Sequence, residues 1–149
     1  MPNFKSSEMR KFDQVNRMSI PPQFREDLGS PVVIVKSIHE DPCLYVYPEK
    51  EYDRLSRSIV RKYKGKQQAL AQRKLARRID LAFVDKSGRI TLKEDFKEYA
   101  ELGEDVYVVG MGNRLELWNA DVYDEYNDEN SFSFDEISLY DLEEESKEE

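Results

Sequence analysis

The chain has 149 residues, of which 39% are hydrophobic and 36% are charged, and its formal net charge is -8. This length gives room for one compact domain, or for two small ones that share a core. The composition indicates a highly charged globular protein. It excludes a membrane span, because no apolar run approaches the roughly 20 residues that a helix needs to cross a bilayer.

Two features of the sequence predict a location in a reducing cytoplasm. The N-terminal residues lack the apolar stretch and the small-residue cleavage site of a secretory signal. The single cysteine, Cys43, cannot form an internal disulfide.

The negative charge is concentrated at the C-terminus. Residues 119–149 contain 13 acidic residues and one basic residue, whereas residues 1–118 contain 22 basic and 18 acidic residues. The body of the chain is therefore mildly basic, and the overall acidity does not argue against a polyanionic partner. Residues 54–79 hold ten basic residues and no acidic one. This segment is either a solvated helix face or a peripheral contact to phosphate.

The first half of the chain predicts a short strand, a charged turn from Asp13 to Arg17, and a second strand up to Ile20. A short helix is predicted from Pro22 to Leu28, because proline suits a first helical turn and the following glycine favours a helix stop. Two apolar strands follow, VVIV and LYVY, joined by the turn-forming sequence HEDP.

The middle of the chain predicts two helices with a break near Gly65. Tyr52, Leu55 and Ile59 have helical spacing, and the Ala-rich segment that ends at Ile79 has a helical composition. These helices form the connection between the two halves.

The second half repeats the order of the first. A strand enters the sequence FVDKSGRITL, where Asp85 and Arg89 bound a turn, and a helix is predicted from Glu94 to Ala100. Two strands follow, VYVV and LELW. We interpret the intervening GMGN as a structural turn, because it lacks the strand-to-helix context of a phosphate-binding loop. We expect the strand aromatics to be core or interface residues: Tyr45, Tyr47, Tyr107 and Trp118.

An offset of 72 residues relates the two halves. It carries Asp13 to Asp85, Arg17 to Arg89 and Phe24 to Phe96. We therefore divide the chain into a first unit (1–55), a basic helical connector (56–79), a second unit (80–127) and an acidic tail (128–149).

Each unit is too small to close a core alone, so the sequence predicts an α+β fold in which two tandem units pack as a pseudo-two-fold pair. In that arrangement the two Asp-x-x-x-Arg turns lie on the same side of the molecule. A charged turn that is repeated by symmetry suits a repetitive ligand.

The two halves resemble a known family. The second, with an Asp-x-x-x-Arg turn followed at a fixed distance by GMGNRLELW, is similar to the C-terminal half of the MraZ family of bacterial transcriptional regulators. The first, with DQVNRMSIPPQFREDLG and CLYVYPEKEYDRL, is similar to the N-terminal half. The resemblance covers about residues 11–126.

This resemblance implies AbrB-like swapped-hairpin units that form a pseudo-two-fold barrel. It also implies a ring-shaped homo-oligomer that is cytoplasmic and nucleoid-associated. We expect no cofactor, no metal and no membrane contact. The implied function is repression of the division and cell-wall gene cluster, through short G-containing direct repeats in promoter double-stranded DNA. The implied DNA contacts are Arg17 and Arg89, with Lys86 and Asn16 beside them, and the turn-shaping residues are Asp13, Asp85 and Gly88.

The chemistry of the turns is compatible with this function but does not require it. A guanidinium can donate two hydrogen bonds to guanine O6 and N7, and a repeated weak contact becomes tight when the DNA repeats match its spacing. The alternative is an ordinary hairpin turn whose Asp accepts backbone hydrogen bonds and pairs with the Arg. In the first turn Asn16 stands at the position that Gly88 has in the second turn, and asparagine tolerates positive φ best among non-glycine residues.

The sequence gives little support to catalysis. His39 and Cys43 lie close together in a predicted turn, and no nucleophile motif or zinc spacing is present. We expect a non-enzyme. A protein-interaction or antitoxin-like regulatory module of the same fold is the alternative to a DNA-binding repressor.

The tail also allows two interpretations. Ser133 and Glu136 have the spacing of a helix capping box, and apolar residues accompany the acidic ones. The tail is either a solubilising, partly disordered end or a competitor of DNA for the basic surface.

Overall fold

The computed structural model describes residues 1–148. It contains eight strands and six helices, which together form an α+β fold. The strands are β1 (Ser7–Lys11), β2 (Arg17–Ser19), β3 (Val32–Lys36), β4 (Leu44–Pro48), β5 (Ile79–Ala82), β6 (Arg89–Thr91), β7 (Asp105–Gly110) and β8 (Leu115–Asn119). The helices are α1 (Pro22–Leu28), α2 (Glu49–Val60), α3 (Lys66–Ala76), α4 (Glu94–Tyr99), α5 (Ala120–Glu129) and α6 (Leu139–Lys147).

The main sheet interleaves the two halves of the chain. Its six strands are antiparallel and lie in the order β1, β7, β8, β4, β3, β5, while β2 and β6 form a separate two-stranded ribbon. The first strand of each half pairs with the third strand of the other half, because β1 pairs with β7 and β5 pairs with β3. The order is symmetric about the central β4–β8 pair. Two units related by a pseudo-two-fold axis would give this symmetry.

The barrel prediction differs from the structure in one respect. Within residues 1–148 the six-stranded sheet ends at β1 and at β5, so hydrogen bonds do not close it into a barrel. The ribbon lies over one face of the sheet and shares the larger apolar core with it.

Alternation along the central strands separates two cores on the two faces of the sheet. Val32 and Ile34 of β3 belong to the core under the ribbon, α1 and α4, whereas Val33 and Val35 belong to the other core. The second core also contains the predicted core aromatics Tyr45, Tyr47 and Trp118, all buried, with Tyr107 packed against it, which confirms that prediction.

The helix predictions from the first half and the connector are confirmed. Helix α1 begins at Pro22 and stops at Gly29, whose φ of 68° suits glycine. The connector forms α2 and α3, separated at Gly65, whose φ is 57°. Helix α4 starts where predicted and ends one residue earlier, at Tyr99.

The helix in the tail is capped by a different residue from the one predicted. The Ser133 hydroxyl accepts a hydrogen bond from the backbone N–H of Asp135, outside any helix. The Ser138 hydroxyl instead accepts from Asp141 N–H and caps α6. A capping serine must directly precede the helix, and Ser133 stands too early in the chain.

No helix in the described part of the chain combines the length and the apolar character that crossing a membrane requires.

Candidate nucleic-acid interface

The first charged turn is built around the carboxylate of Asp13. Its Oδ1 accepts hydrogen bonds from the backbone N–H groups of Val15 and Arg17, each at 2.9 Å. Its Oδ2 accepts from Arg17 Nε at 2.7 Å. The backbone closes the same turn, since Asp13 N–H donates to the carbonyl of Arg17 at 2.9 Å. One side chain therefore fixes both the turn and the base of the guanidinium.

The second turn has the same bonds. Asp85 Oδ1 accepts from the backbone N–H groups of Ser87 and Arg89, each at 2.9 Å, and Oδ2 accepts from Arg89 Nε at 2.9 Å. Gly88, at the position of Asn16, has a φ of 77°, and Asn16 has a φ of 61°. Both turns thus use the left-handed conformation at the residue before the arginine.

The hydrogen bonds hold both carboxyl groups in the charged form. The backbone N–H of Arg17 is the main reason that the pKa of Asp13 lies below its ordinary value. The backbone N–H of Arg89 has the same effect on the pKa of Asp85. Both carboxylates therefore keep their charge to a lower pH than an ordinary aspartate does.

The ribbon places the two arginines on one face. Arg17 pairs with Thr91 and Arg89 pairs with Ser19, with Met18 opposite Ile90 between them. Met18 and Ile90 are each 1% exposed and point into the core. Since side chains alternate along a strand, the other four residues of the ribbon share its outer face: Arg17, Ser19, Arg89 and Thr91.

The guanidinium groups are held at one end and open at the other. The side chains of Arg17 and Arg89 are 38% and 33% exposed. In each, Nε is bonded to the aspartate of its own turn, and within residues 1–148 the two terminal nitrogens have no hydrogen-bond partner. The terminal edge of a guanidinium offers paired donors with the geometry that a bidentate acceptor needs.

Each turn rests against a helix from the other half of the chain. The guanidinium of Arg25, in α1, covers Gly88 so closely that a Cβ there would lie 2.3 Å from Arg25 Cζ. Arg25 Nε is anchored on the carbonyl of Ile20 at 2.8 Å. Lys97, in α4, donates to Asn16 Oδ1 at 2.8 Å.

Sequence reasoning missed Arg25 and Lys97 as supports of the turns. The offset of 72 residues relates them to one another and gives the signal, since both are basic residues at the same place in the short helix. The offset does not predict that the halves exchange these contacts, so that the helix of each half supports the turn of the other half.

The two remaining predicted contact residues differ in their surroundings. Lys86 is exposed in the second turn and forms no salt bridge with any of residues 1–148. Both polar atoms of the Asn16 side chain are hydrogen-bonded, because its oxygen accepts from Lys97 and its amide nitrogen donates to Glu94 Oε2 at 2.9 Å. Lys86 is therefore accessible to a ligand, while Asn16 is bonded within the protein.

A compact polar cluster lies on the opposite face of the sheet. Asp41, Cys43 and Glu116 bring their ligand atoms within 4.8 Å of one another. Burial is the main cause that raises the pKa of the Cys43 thiol, so it remains protonated. Glu116 pairs with Arg114 at 3.0 Å and accepts from Trp118 Nε1 at 2.9 Å. The guanidinium of Arg114 already neutralises Glu116, and this makes the set a poor cation site.

Comparison with known proteins identifies the family of the chain. Residues 4–74 and 81–142 match the model of a family described as "MraZ protein, putative antitoxin-like". The chain is 30% identical over 141 residues to a protein of Paenarthrobacter aurescens (strain TC1) named "Transcriptional regulator MraZ", covering 89% of this chain and 92% of that protein.

Two further relatives carry the same name. The protein of Mycolicibacterium smegmatis (strain ATCC 700084 / mc(2)155) is 34% identical over 125 residues, covering 83% of this chain and 86% of the relative. That of Thermoanaerobacter sp. (strain X514) is 33% identical over 128 residues, covering 85% and 87%. The chain therefore belongs to the MraZ family of transcriptional regulators.

Proposed function

We propose that the protein binds promoter DNA through the outer face of the ribbon and thereby represses transcription. The observation that carries the proposal is the shared outer face on which Arg17 and Arg89 stand, each with Nε bonded to an aspartate. Their terminal nitrogens remain available to donate two hydrogen bonds to guanine O6 and N7. The exposed ammonium of Lys86 would neutralise a phosphate beside the second turn.

The proposed target is a set of short G-containing direct repeats upstream of the division and cell-wall gene cluster. One ribbon offers two arginine contacts, which is too few for tight binding. Self-association into a ring would repeat the ribbon at a fixed spacing. When the DNA repeats match this spacing, the first ribbon that binds would hold the next ribbon close to its own repeat. Each later contact is then effectively intramolecular, and the overall affinity rises. The protein would act in the cytoplasm, at the nucleoid, as a regulator and not as an enzyme.

The fold assignment that accompanies this proposal is the AbrB-like swapped hairpin, in two units (1–55 and 80–127) with a connector (56–79) and a tail (128–149). The pairing of β1 with β7 and of β5 with β3 supports it, because each unit then completes the sheet of the other. The boundary after residue 55 falls within α2, so the connector and the first unit share a helix. Asn16 is more consistent with turn support than with DNA contact, since both ends of its amide are bonded.

The test is binding of the full-length protein to duplex DNA from the region upstream of its own gene, measured by gel shift and by fluorescence anisotropy, with the short direct repeats of that region as the expected site. We expect Arg17→Ala and Arg89→Ala each to weaken binding by roughly 5- to 150-fold, corresponding to about 1 to 3 kcal/mol per bidentate contact. Arg89→Ala should lose at least as much as Arg17→Ala, because Lys86 accompanies only the second turn.

Two controls separate base reading from general attraction. Arg89→Lys keeps the charge but loses the paired donors, so it should lose discrimination between the repeats and a scrambled duplex. Arg73→Ala removes an exposed positive charge on α3, away from the ribbon, and should change binding less than about threefold. If the wild type ignores the repeats, or if both alanine variants bind like the wild type, the interaction-module alternative is favoured instead.

A further inference from the structure

The connector helices and the loop after β3 enclose a groove on the face of the sheet opposite the ribbon. Its volume is about 1250 Å³. The apolar part of its lining includes Ile38, Ile59, Tyr63 and Leu75. The position is remote from the two arginines, because α2 and α5 pack on the second core and the ribbon packs on the first.

The rim of the groove is strongly basic. Lys62, Lys74 and Arg77 line it, all exposed, and none of them forms a salt bridge with another described residue. Glu40 and Asp41 also line it, but Asp41 is engaged with the hydroxyl of Tyr45 at 2.7 Å. An occupant with apolar side chains and several carboxylates would satisfy both the floor and the rim.

The tail has this chemistry. Every residue from 131 to 148 is exposed, and the segment contains large apolar side chains with relative exposures as high as 78% for Phe132, 75% for Leu139 and 70% for Tyr140. Acidic residues surround them, including three consecutive glutamates within α6. The rings of Phe132 and Phe134 pack edge to face, with centroids 5.1 Å apart, and apolar side chains gathered in solvent in this way mark an interaction site.

We propose that the acidic tail of one copy docks into the basic groove of a second copy. The chain's own tail does not fill the groove, since all of its described residues are exposed. DNA fits less well, because its phosphates would leave the apolar floor uncovered. The tail and the groove are different surfaces, so the contact is heterologous, and a series of such contacts closes into a ring when the rotation between copies allows it. The inference rests on the self-association part of the proposed function and supplies its surfaces.

The first experiment measures binding of a fluorescent synthetic peptide with the sequence of residues 130–148. The receiver is the full-length chain carrying Leu139→Ser and Leu142→Ser, so that its own tail does not compete. We expect saturable binding that weakens with salt. Charge reversal in the groove, Lys74→Glu with Arg77→Glu, should weaken it at least tenfold.

A matched control comes from the same connector. Lys64→Glu with Lys66→Glu makes the same change in net charge at exposed positions that do not line the groove, and should weaken peptide binding less than threefold. Absence of peptide binding, or equal losses in the two charge reversals, would overturn the proposal. So would a groove reversal that lowers DNA affinity while leaving peptide binding intact, since the groove would then be a phosphate contact.

The second experiment decides which copy supplies the tail. Ala71→Cys in the groove and Leu142→Cys in α6 are placed on separate full-length chains, which are mixed and oxidised. The wild type is the control, because its one cysteine, Cys43, is buried. We expect disulfide-linked dimers that contain one copy of each variant, in excess of the homodimers that either variant forms when it is oxidised alone. A further variant carries both substitutions on one chain. If a disulfide forms within that chain and none forms between the separate chains, the tail folds back on its own groove, and docking between copies is overturned.

These outcomes are independent of DNA reading. Arg17→Ala and Arg89→Ala lie on the other face of the molecule and should leave peptide binding unchanged. Loss of DNA binding with intact tail docking would therefore count against the DNA proposal alone.

Discussion

The two charged turns have the same bonds but different surroundings. Asp13 and Asp85 hold their arginines through the same atoms and at nearly the same distances. The side chain of Asn16 is hydrogen-bonded by polar side chains from α4. Gly88 has no side chain, and the guanidinium of Arg25 from α1 fills the space where one would lie. The presentation of the arginine is therefore symmetric, while the support behind it is not. The two residues before the arginines should not be interchangeable.

Exchange of these two residues is expected to have the largest effect on stability. Gly88→Asn keeps an acceptable residue at positive φ but puts a Cβ 2.3 Å from Arg25 Cζ. Arg25 must move and lose its bond to the Ile20 carbonyl, but its guanidinium is the end of a flexible side chain, so we expect a loss of about 1 to 2 kcal/mol in the free energy of unfolding. Asn16→Gly loses only the bonds of its side chain and should cost less, about 1 kcal/mol. Chemical denaturation measures both.

Gly65→Asn is the control for backbone strain. Gly65 has a φ of 57°, and a Cβ there would meet no atom within 4 Å. If Gly88→Asn is no more destabilising than Gly65→Asn, the contact with Arg25 does not distinguish the two turns. Adding Arg25→Ala to Gly88→Asn should recover part of the loss, because it removes the clash.

A smaller effect is expected from the one charge that the turns do not share. Lys86 in the second turn corresponds to Gln14 in the first. Lys86→Gln makes the second turn resemble the first, and should reduce DNA affinity a few-fold while lowering the slope of log affinity against log salt by about 1. Gln14→Lys should raise the slope by a similar amount. Unchanged slopes for both variants would mean that neither position faces a phosphate.

Local chemistry made the turns and their helices predictable from the sequence. The offset between the halves identified both turns, because aspartate, a residue that tolerates positive φ and arginine recur at the same spacing. Proline and glycine marked the ends of α1. These signals each depend on a few neighbouring residues.

The supports of the turns were not predictable in the same way. The contact of Arg25 with Gly88 spans more than sixty positions and depends on which half pairs with which. The alternation of apolar and polar residues predicts which face of a strand is buried, but it does not predict which strand pairs with it. The open edges of the sheet at β1 and β5 were therefore not predicted. The groove likewise arises from four separate segments of the chain: the loop after β3, the end of α2, α3 and α5.

The smallest expected effect concerns acid titration, where the two turns should behave alike. The pKa of Asp13 and that of Asp85 are both lowered, so the bonds of each carboxylate stabilise the fold above about pH 4 and are lost as the pH falls through the lowered value. Carboxyl carbon NMR of the full-length protein should give both aspartates a pKa below the ordinary value. The backbone N–H of the arginine is the larger cause in each turn, and its side chain the smaller. Arg17→Ala keeps that N–H, so the pKa of Asp13 should rise only part of the way to its ordinary value, and Arg89→Ala should do the same for Asp85. A complete return in either turn would mean that the guanidinium, and not the backbone, holds that carboxylate.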